Sequence, residues 1–146
     1  MLLNRKIQYN YHIHKTLEVG MVLKGTEVRT LRMRKGSIVG AYIVVRSEGL
    51  LLMNMDIPIY THAIVNHEPR AVRTLLAHKK EIRFLRGKLQ EKGLTLIPKS
   101  LYFNKFGLVK MEIALCSGKN QFDKRQSIKK REIEREKMSW RKSVMI

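Results

Sequence analysis

The sequence predicts a mainly β protein with flanking helices: a small closed β-barrel followed by a basic C-terminal tail. Three observations carry this expectation. Six short strand-like segments fall within the first 118 residues, the first two and the last of them alternating apolar and polar residues with period two. Two pairs of those segments are joined by turn-forming stretches. Residues 119–146 lose the apolar periodicity and are mostly charged.

The strands are read in order. Ile7, Tyr9, Tyr11 and Ile13 alternate with Gln8, Asn10, His12 and His14, which predicts a half-buried first strand. Leu17, Val19, Met21 and Leu23 repeat the pattern, with Glu18 and Lys24 on the other face. Segments 41–46 and 50–55 flank Ser47-Glu48-Gly49, a hairpin signal. Segments 94–103 and 108–115 flank Asn104-Lys105-Phe106-Gly107, a second hairpin. In the last strand Val109, Met111, Ile113 and Leu115 face one way, and Lys110 and Glu112 the other. Pro98 cannot donate to a ladder, so it marks an edge or a bulge.

Helices are fewer. A short one is expected around 26–33, stopping near Gly36. Pro69 suits the first turn of a longer helix, in which Val72, Leu75, Leu76, Ile82, Leu85 and Leu89 keep helical spacing. Arg73 and its basic neighbours fill the remaining surface of that helix, and Gly87 is expected to break it in two. In the tail, Ile128 to about Met138 has good helix formers but no apolar stripe. That predicts an arm, disordered when free, that orders on a partner. The expected organisation is residues 1–118 as barrel and helices, and 119–146 as tail.

Charge sets the class of partner. Thirty Lys and Arg against twelve Asp and Glu give a net charge of +18 on 146 residues. The tail carries ten and four of these, the body twenty and eight, so both are basic. A polyanion, most often nucleic acid, is the natural partner. Arg29, Arg32, Arg34 and Lys35 form one cluster, and the 69–91 stretch supplies a second. Such residues give affinity for phosphates but little sequence information. The longest apolar runs are strand-sized, and no signal-peptide core precedes Asn4. A soluble cytoplasmic protein without membrane contact is expected, and one cysteine in 146 residues excludes an intrachain disulfide.

Chemical constellations are sparse. His12 and His14 have the spacing to share a metal, but no third ligand is placed beside them, so no metal or other cofactor is expected. His62, His67 and His78 are isolated, and the body's carboxylates show no local pairing for acid–base work. GxSxG, Walker, HExxH and CxxC patterns are absent. Cys116 closes a strand and is read as packing. A basic nuclease would need clustered carboxylates or a His–acid pair, and the expectation is therefore a binding protein, not an enzyme.

A family resemblance sharpens this. It runs through Asn4-Arg5-Lys6, Leu17-Glu18-Val19-Gly20 and the stretch from Leu23-Lys24-Gly25 to Leu31-Arg32. It continues at Tyr42, Glu68-Pro69-Arg70, Leu75-Leu76, Lys79-Lys80-Glu81-Ile82, Gly93, Leu96-Ile97-Pro98, Leu101-Tyr102 and Gly118-Lys119. The tail adds Asp123-Lys124-Arg125 and Ile128-Lys129-Lys130-Arg131-Glu132. In order and spacing these residues resemble small protein B, the SsrA-binding protein family of bacterial trans-translation, over nearly the full length.

The resemblance implies an OB-like barrel and a non-enzymatic partner of transfer-messenger RNA (SsrA), bound as a monomer 1:1. In that family the barrel holds the elbow of the tRNA-like domain and stands where an anticodon arm would be. The tail enters the decoding centre and the empty mRNA channel of a stalled ribosome, against small-subunit ribosomal RNA. The RNA then supplies a reading frame that tags the nascent chain. Carried onto this sequence, the RNA-facing set is Asn4, Arg5, Lys6, Glu18, Lys24, Arg29, Arg32, Arg70, Leu76 and Lys110. Of Leu75 and Leu76, one packs in the core and the other touches RNA, and the sequence does not decide which. The ribosome-facing set is Lys119, Gln121, Phe122, Asp123, Lys124, Arg125, Ile128, Lys129, Arg131 and Glu132. The chain departs from the family at four places. Phe122 stands for a usual His or Tyr, keeping a ring but losing its hydrogen bond; Asn120 and Thr74 replace usual basic residues, and Asn10 a common acidic one. The rival reading is a generic OB-type RNA-binding protein, which should survive loss of 119–146.

Overall fold

The computed structural model describes residues 1–47, 49–91 and 93–119, together with 132, 133 and 135. The chain runs β1 (Leu2–Leu3), α1 (Ile7–Asn10), β2 (Tyr11–Met21), α2 (Gly25–Arg32), β3 (Tyr42–Arg46), β4 (Gly49–Met53), β5 (Arg73–Leu76), α3 (Lys79–Leu89), β6 (Leu94–Phe103) and β7 (Val109–Gly118). All pairings are antiparallel, in the order β1-β6-β3-β4-β5-β2-β7. A further β6–β7 pairing closes the sheet on itself. The barrel expected from the strand pattern is therefore present, with β1 as an added strip on β6.

Leu50, Leu52, Leu96, Met111 and Ile113 fill the barrel, joined by Leu31 from α2 and Leu85 from α3. Each helix covers one end. Arg32 of α2 lies beside the β6–β7 turn at Phe103 and Gly107. Phe84 and Leu89 of α3 lie against Lys15, Leu94, Leu115 and Val45, at the opposite ends of the same strands. That turn is closed by Asn104, whose Oδ1 accepts from the backbone N–H of Phe106 and Leu108, both at 2.9 Å. Gly107 adopts φ +78°, which a side chain would disfavour.

Five expectations need correction. Residues 7–10 are one helical turn, not the start of a strand: Lys6 carbonyl accepts from the N–H of Tyr9 and Asn10. The reason is connectivity, since β1 sits on β6 and β2 on the far side of β7, so the chain must cross the outer wall. In crossing it buries Ile7 on Ile97, Ala114 and Cys116, a second small core. The strands expected around 7–14 and 17–23 are then one strand, 11–21, with an irregularity between Ile13 and Lys15.

The helix expected from Pro69 does not start there. Residues 73–76 form β5, with Arg73 and Leu75 buried and Thr74 and Leu76 exposed, and α3 begins only at Lys79. The Pro69 carbonyl instead accepts from Ile57 N–H and from the Arg73 side chain. Arg73, expected on a solvent face, is buried and paired with Glu27. Gly87 lies inside an unbroken α3. Pro98 marks a bulge, one of the two alternatives, since the β6–β7 register shifts between Pro98 and Ser100. Cys116 is fully buried, and burial pushes its thiol up to about 11, as suits a packing residue.

Candidate nucleic-acid interface

The two bulges decide which side chains face outward. Before His14, the odd residues Tyr11 and Ile13 pack under α1; after it, the odd residues Leu17 and Val19 point into the barrel. The Pro98 bulge switches β6 in the same way, from Leu96 inward to Leu101 and Phe103 inward. One half of the outer wall is thus covered by α1. Among the described residues no helix covers the other half, and Glu18, Tyr102, Lys110, Glu112 and Leu76 project from it.

Register brings these residues together. Glu18 faces Glu112 across β2 and β7, Tyr102 faces Lys110 across β6 and β7, and Gly20 lies between Lys110 and Leu76. Gly20 makes room for both: a Cβ there would sit 3.5 Å from Leu76 Cβ and 3.7 Å from Lys110 Nζ. Tyr102 donates its hydroxyl to Glu18 Oε2. Partial burial, then the Glu18 carboxylate that holds its proton, push the phenol up to about 12, so it stays a donor at any working pH. Lys99 pairs with Glu112 at 3.5 Å, balancing the second carboxylate. Leu75 enters the core at 2% exposure while Leu76 stands on the wall at 56%, so of the two it is Leu75 that packs in the core.

The other residues of the RNA-facing set, Arg70 excepted, lie around this wall. Asn4 is buried; its Nδ2 donates to Pro98 carbonyl at 3.3 Å, and its backbone N–H donates to Lys99 carbonyl, tying the N-terminus to the bulge. Arg5 and Lys6 follow it in the open. Lys24, Arg29 and Arg32 are exposed on and before α2, at the barrel end beyond Met21. Arg29 lies over the Tyr60 ring and Arg32 over the Phe103 ring, each at 5.7 Å, which spreads their stems on the surface. Arg70 is apart from the wall, donating to Asn54 Oδ1 at 2.8 Å.

Of the ribosome-facing set, Lys119 donates to Gln8 carbonyl at 2.7 Å, and Glu132 is helical and exposed. Gln121, Phe122, Asp123, Lys124, Arg125, Ile128, Lys129 and Arg131 lie outside the described residues, as does most of the helix expected from Ile128.

Sequence reasoning did not find the Tyr102–Glu18 contact. A bulge reading of Pro98, carried through as a switch of facing, would have put Tyr102 on the polar wall. His14 sits in the β2 bulge and bonds Ser117 Oγ at 2.9 Å, so His12 and His14 are not equivalent positions on one regular face. His67 is buried between Thr26 Oγ1 and Ile57 carbonyl, both at 2.8 Å. Among the described residues, no three His, Cys, Asp or Glu are grouped to hold a metal, and no helix is long and apolar enough to cross a membrane.

Fold and surface define the class first: a small closed antiparallel barrel of the OB-like kind, with a polar wall and basic ends. A family model described as SmpB protein matches residues 1–143. The SsrA-binding protein of Thermosipho africanus (strain TCF52B) is 46% identical over 133 residues, covering 90% of this chain and 89% of that protein. That of Caulobacter sp. (strain K31) is 47% identical over 135 residues, covering 92% and 89%. A solved chain described under "tmRNA-SmpB: a journey to the center of the bacterial ribosome" superposes with a TM-score of 0.69 at 39% identity, covering 87% of this chain and 93% of that one. The chain belongs to the SmpB family.

Proposed function

We propose that this chain is a non-enzymatic RNA-binding adaptor of trans-translation, acting in the cytoplasm as a monomer bound 1:1 to its RNA. The barrel, residues 1–118, binds the tRNA-like domain of transfer-messenger RNA (SsrA). The tail, 119–146, reaches the decoding centre and empty mRNA channel of a stalled ribosome. The nascent chain is then tagged and the ribosome released. The names of the relatives support this reading, and one observation on this chain carries it: an open wall with a fixed carboxylate at its centre.

A carboxylate repels phosphate, so in a chain of net charge +18 it has no use in nonspecific RNA binding. Glu18 serves as an acceptor for donors that a folded RNA presents, a base amino or imino group or a 2′-hydroxyl. Tyr102 holds Oε2 and orients the group; Oε1 makes no hydrogen bond among the described residues and is available. Leu76 offers apolar contact to a sugar or base, and Lys110 a cation for the adjoining phosphate. Lys24, Arg29 and Arg32 extend the charge around the barrel end, and Arg5 and Lys6 along the wall. Asn4 serves by holding that N-terminal segment in place, and Arg70 by adding charge at a separate point. In the tail, Lys119, Gln121, Lys124, Arg125, Lys129 and Arg131 face ribosomal RNA. Phe122 stacks on a base, while Asp123 acts in the decoding centre with Lys124 and Arg125, and Ile128 and Glu132 belong to the segment that enters the mRNA channel.

The test is reconstituted translation of a message without a stop codon. The chain together with transfer-messenger RNA is expected to add the encoded tag to the stalled nascent peptide. Untagged peptide in the presence of both would overturn the proposal.

A further inference from the structure

The α3 end of the barrel carries a group of residues that the proposed role leaves unused. Phe84 is exposed at 37%, although it is an aromatic residue on a helix that already buries Leu85. Lys15 Nζ of β2 lies 4.4 Å from the centre of its ring, and Lys88 Nζ lies 5.9 Å away. The ring borders a pocket of about 300 Å³, whose other walls are His14, Glu91, Leu94 and Leu115. One helical row further round, Lys79, Arg83 and Arg86 line a second cleft of about 360 Å³ with Ile82 and Ser47. Arg86 is fixed there, donating to the carbonyls of Arg46 at 3.1 Å and Ser47 at 2.9 Å.

We propose that this end of the barrel is a second RNA-binding surface, taking an unpaired stretch of RNA with a base stacked on Phe84 and its phosphates along Lys79 and Arg83. Charge complementarity selects a polyanion. The exposed ring selects one with a flat face to stack, which single-stranded RNA presents and a duplex hides. The position selects a segment other than the one on the Glu18 wall: Phe84 lies at the β2 start and β7 end, whereas Leu76 and Lys110 pair with Gly20 near the opposite end of β2. The surface deepens the RNA-binding reading and rests on it. It lets one barrel hold a folded RNA on its wall and a single strand across its end.

The experiment uses the full chain and a fluorescent unstructured twelve-nucleotide RNA, with a blunt RNA duplex as second probe, at two salt concentrations. Phe84→Ala is expected to weaken the single strand by about 5- to 150-fold and leave the duplex nearly unchanged, the range expected for one lost stacking contact. Lys79→Gln with Arg83→Gln is expected to lower the slope of log affinity against log salt by about 1.4, since each phosphate contact on a single strand contributes about 0.7. Both variants alter exposed side chains, and circular dichroism checks their folding. Unchanged single-strand binding in both variants would overturn the proposal. So would equal loss for strand and duplex in Phe84→Ala, or displacement of the RNA by polyglutamate as readily as by unlabelled RNA, which would point to an acidic protein. The preference of Phe84→Ala for the tRNA-like domain over a control hairpin, measured alongside, separates the two readings, because the Glu18 wall is untouched and that preference is expected to persist.

Discussion

Arg73→Met is expected to cost about 3–5 kcal/mol of folding stability, the penalty for leaving one partner of a buried ion pair alone. Arg73 is 3% exposed and Glu27 4%. The guanidinium donates Nε to Glu27, Nη1 to Met55 carbonyl at 2.7 Å, and Nη2 to the carbonyls of Pro69 at 2.9 Å and Glu68 at 3.3 Å. One side chain therefore ties α2, the segment just after β4, the turn before β5 and β5 itself. Its loss strands a carboxylate whose remaining partner is Lys24 N–H at 2.9 Å, and takes the side-chain donor from the Met55 carbonyl, while the carbonyls of Glu68 and Pro69 keep the N–H of Ala71 and Ile57. A domain of this size has about 5–15 kcal/mol in total, so the loss is a large share of its stability. Urea denaturation followed by circular dichroism measures it. Replacing both partners, Arg73→Met with Glu27→Leu, is expected to recover most of the loss, because no charge is then stranded. A single-variant loss below about 1 kcal/mol, the range of an exposed pair, would contradict this account.

Truncation after Gly118 is expected to abolish tagging while sparing recognition of the tRNA-like domain. The truncated segment holds ten Lys and Arg against four Asp and Glu, and the wall of Glu18, Tyr102, Lys110 and Leu76 lies wholly outside it. The truncated chain is expected to bind every RNA somewhat more weakly, with a shallower salt dependence, because nonspecific phosphate contacts are lost. Its preference for the tRNA-like domain over a control hairpin is expected to persist. Tagging in the stalled-message assay is expected to fall to background. A truncated chain that still tags would contradict the role given to the tail.

What could be read from the sequence divides along a physical line. The closed barrel, α2, both hairpins and the Pro98 bulge follow from period-two alternation, turn residues and proline's missing N–H, all of which are local. The first strand failed because Ile7 and Tyr9 satisfy a two-residue alternation and a helical turn equally well. The choice was made by the need to cross from β6 to β7. β5 failed for a related reason. Leu75, Leu76 and Ile82 keep helical spacing with residues that lie beyond a turn, and only the buried Arg73 shows that the segment is extended. An arginine amid other basic residues carries no signal of burial; its carboxylate partner lies 46 positions away, in α2. Glu18 came from the family resemblance, because alternation puts it on a polar face but gives no reason to prefer it to Glu112. Tyr102, which orients it, becomes visible only when the bulge one turn of the pleat earlier reverses the facing of β6.

The central claim is that the Glu18 wall recognises a folded RNA rather than charge alone. Fluorescence anisotropy of the tRNA-like domain of transfer-messenger RNA, against a hairpin of equal length at low and high salt, tests it most directly. The account predicts a preference for the tRNA-like domain that survives the higher salt, while the hairpin's affinity collapses. Glu18→Ala is expected to reduce that preference by about 5- to 150-fold, the worth of one specific polar contact, with little change for the hairpin. Equal affinities for the two RNAs at both salts, or a preference indifferent to Glu18→Ala, would contradict it.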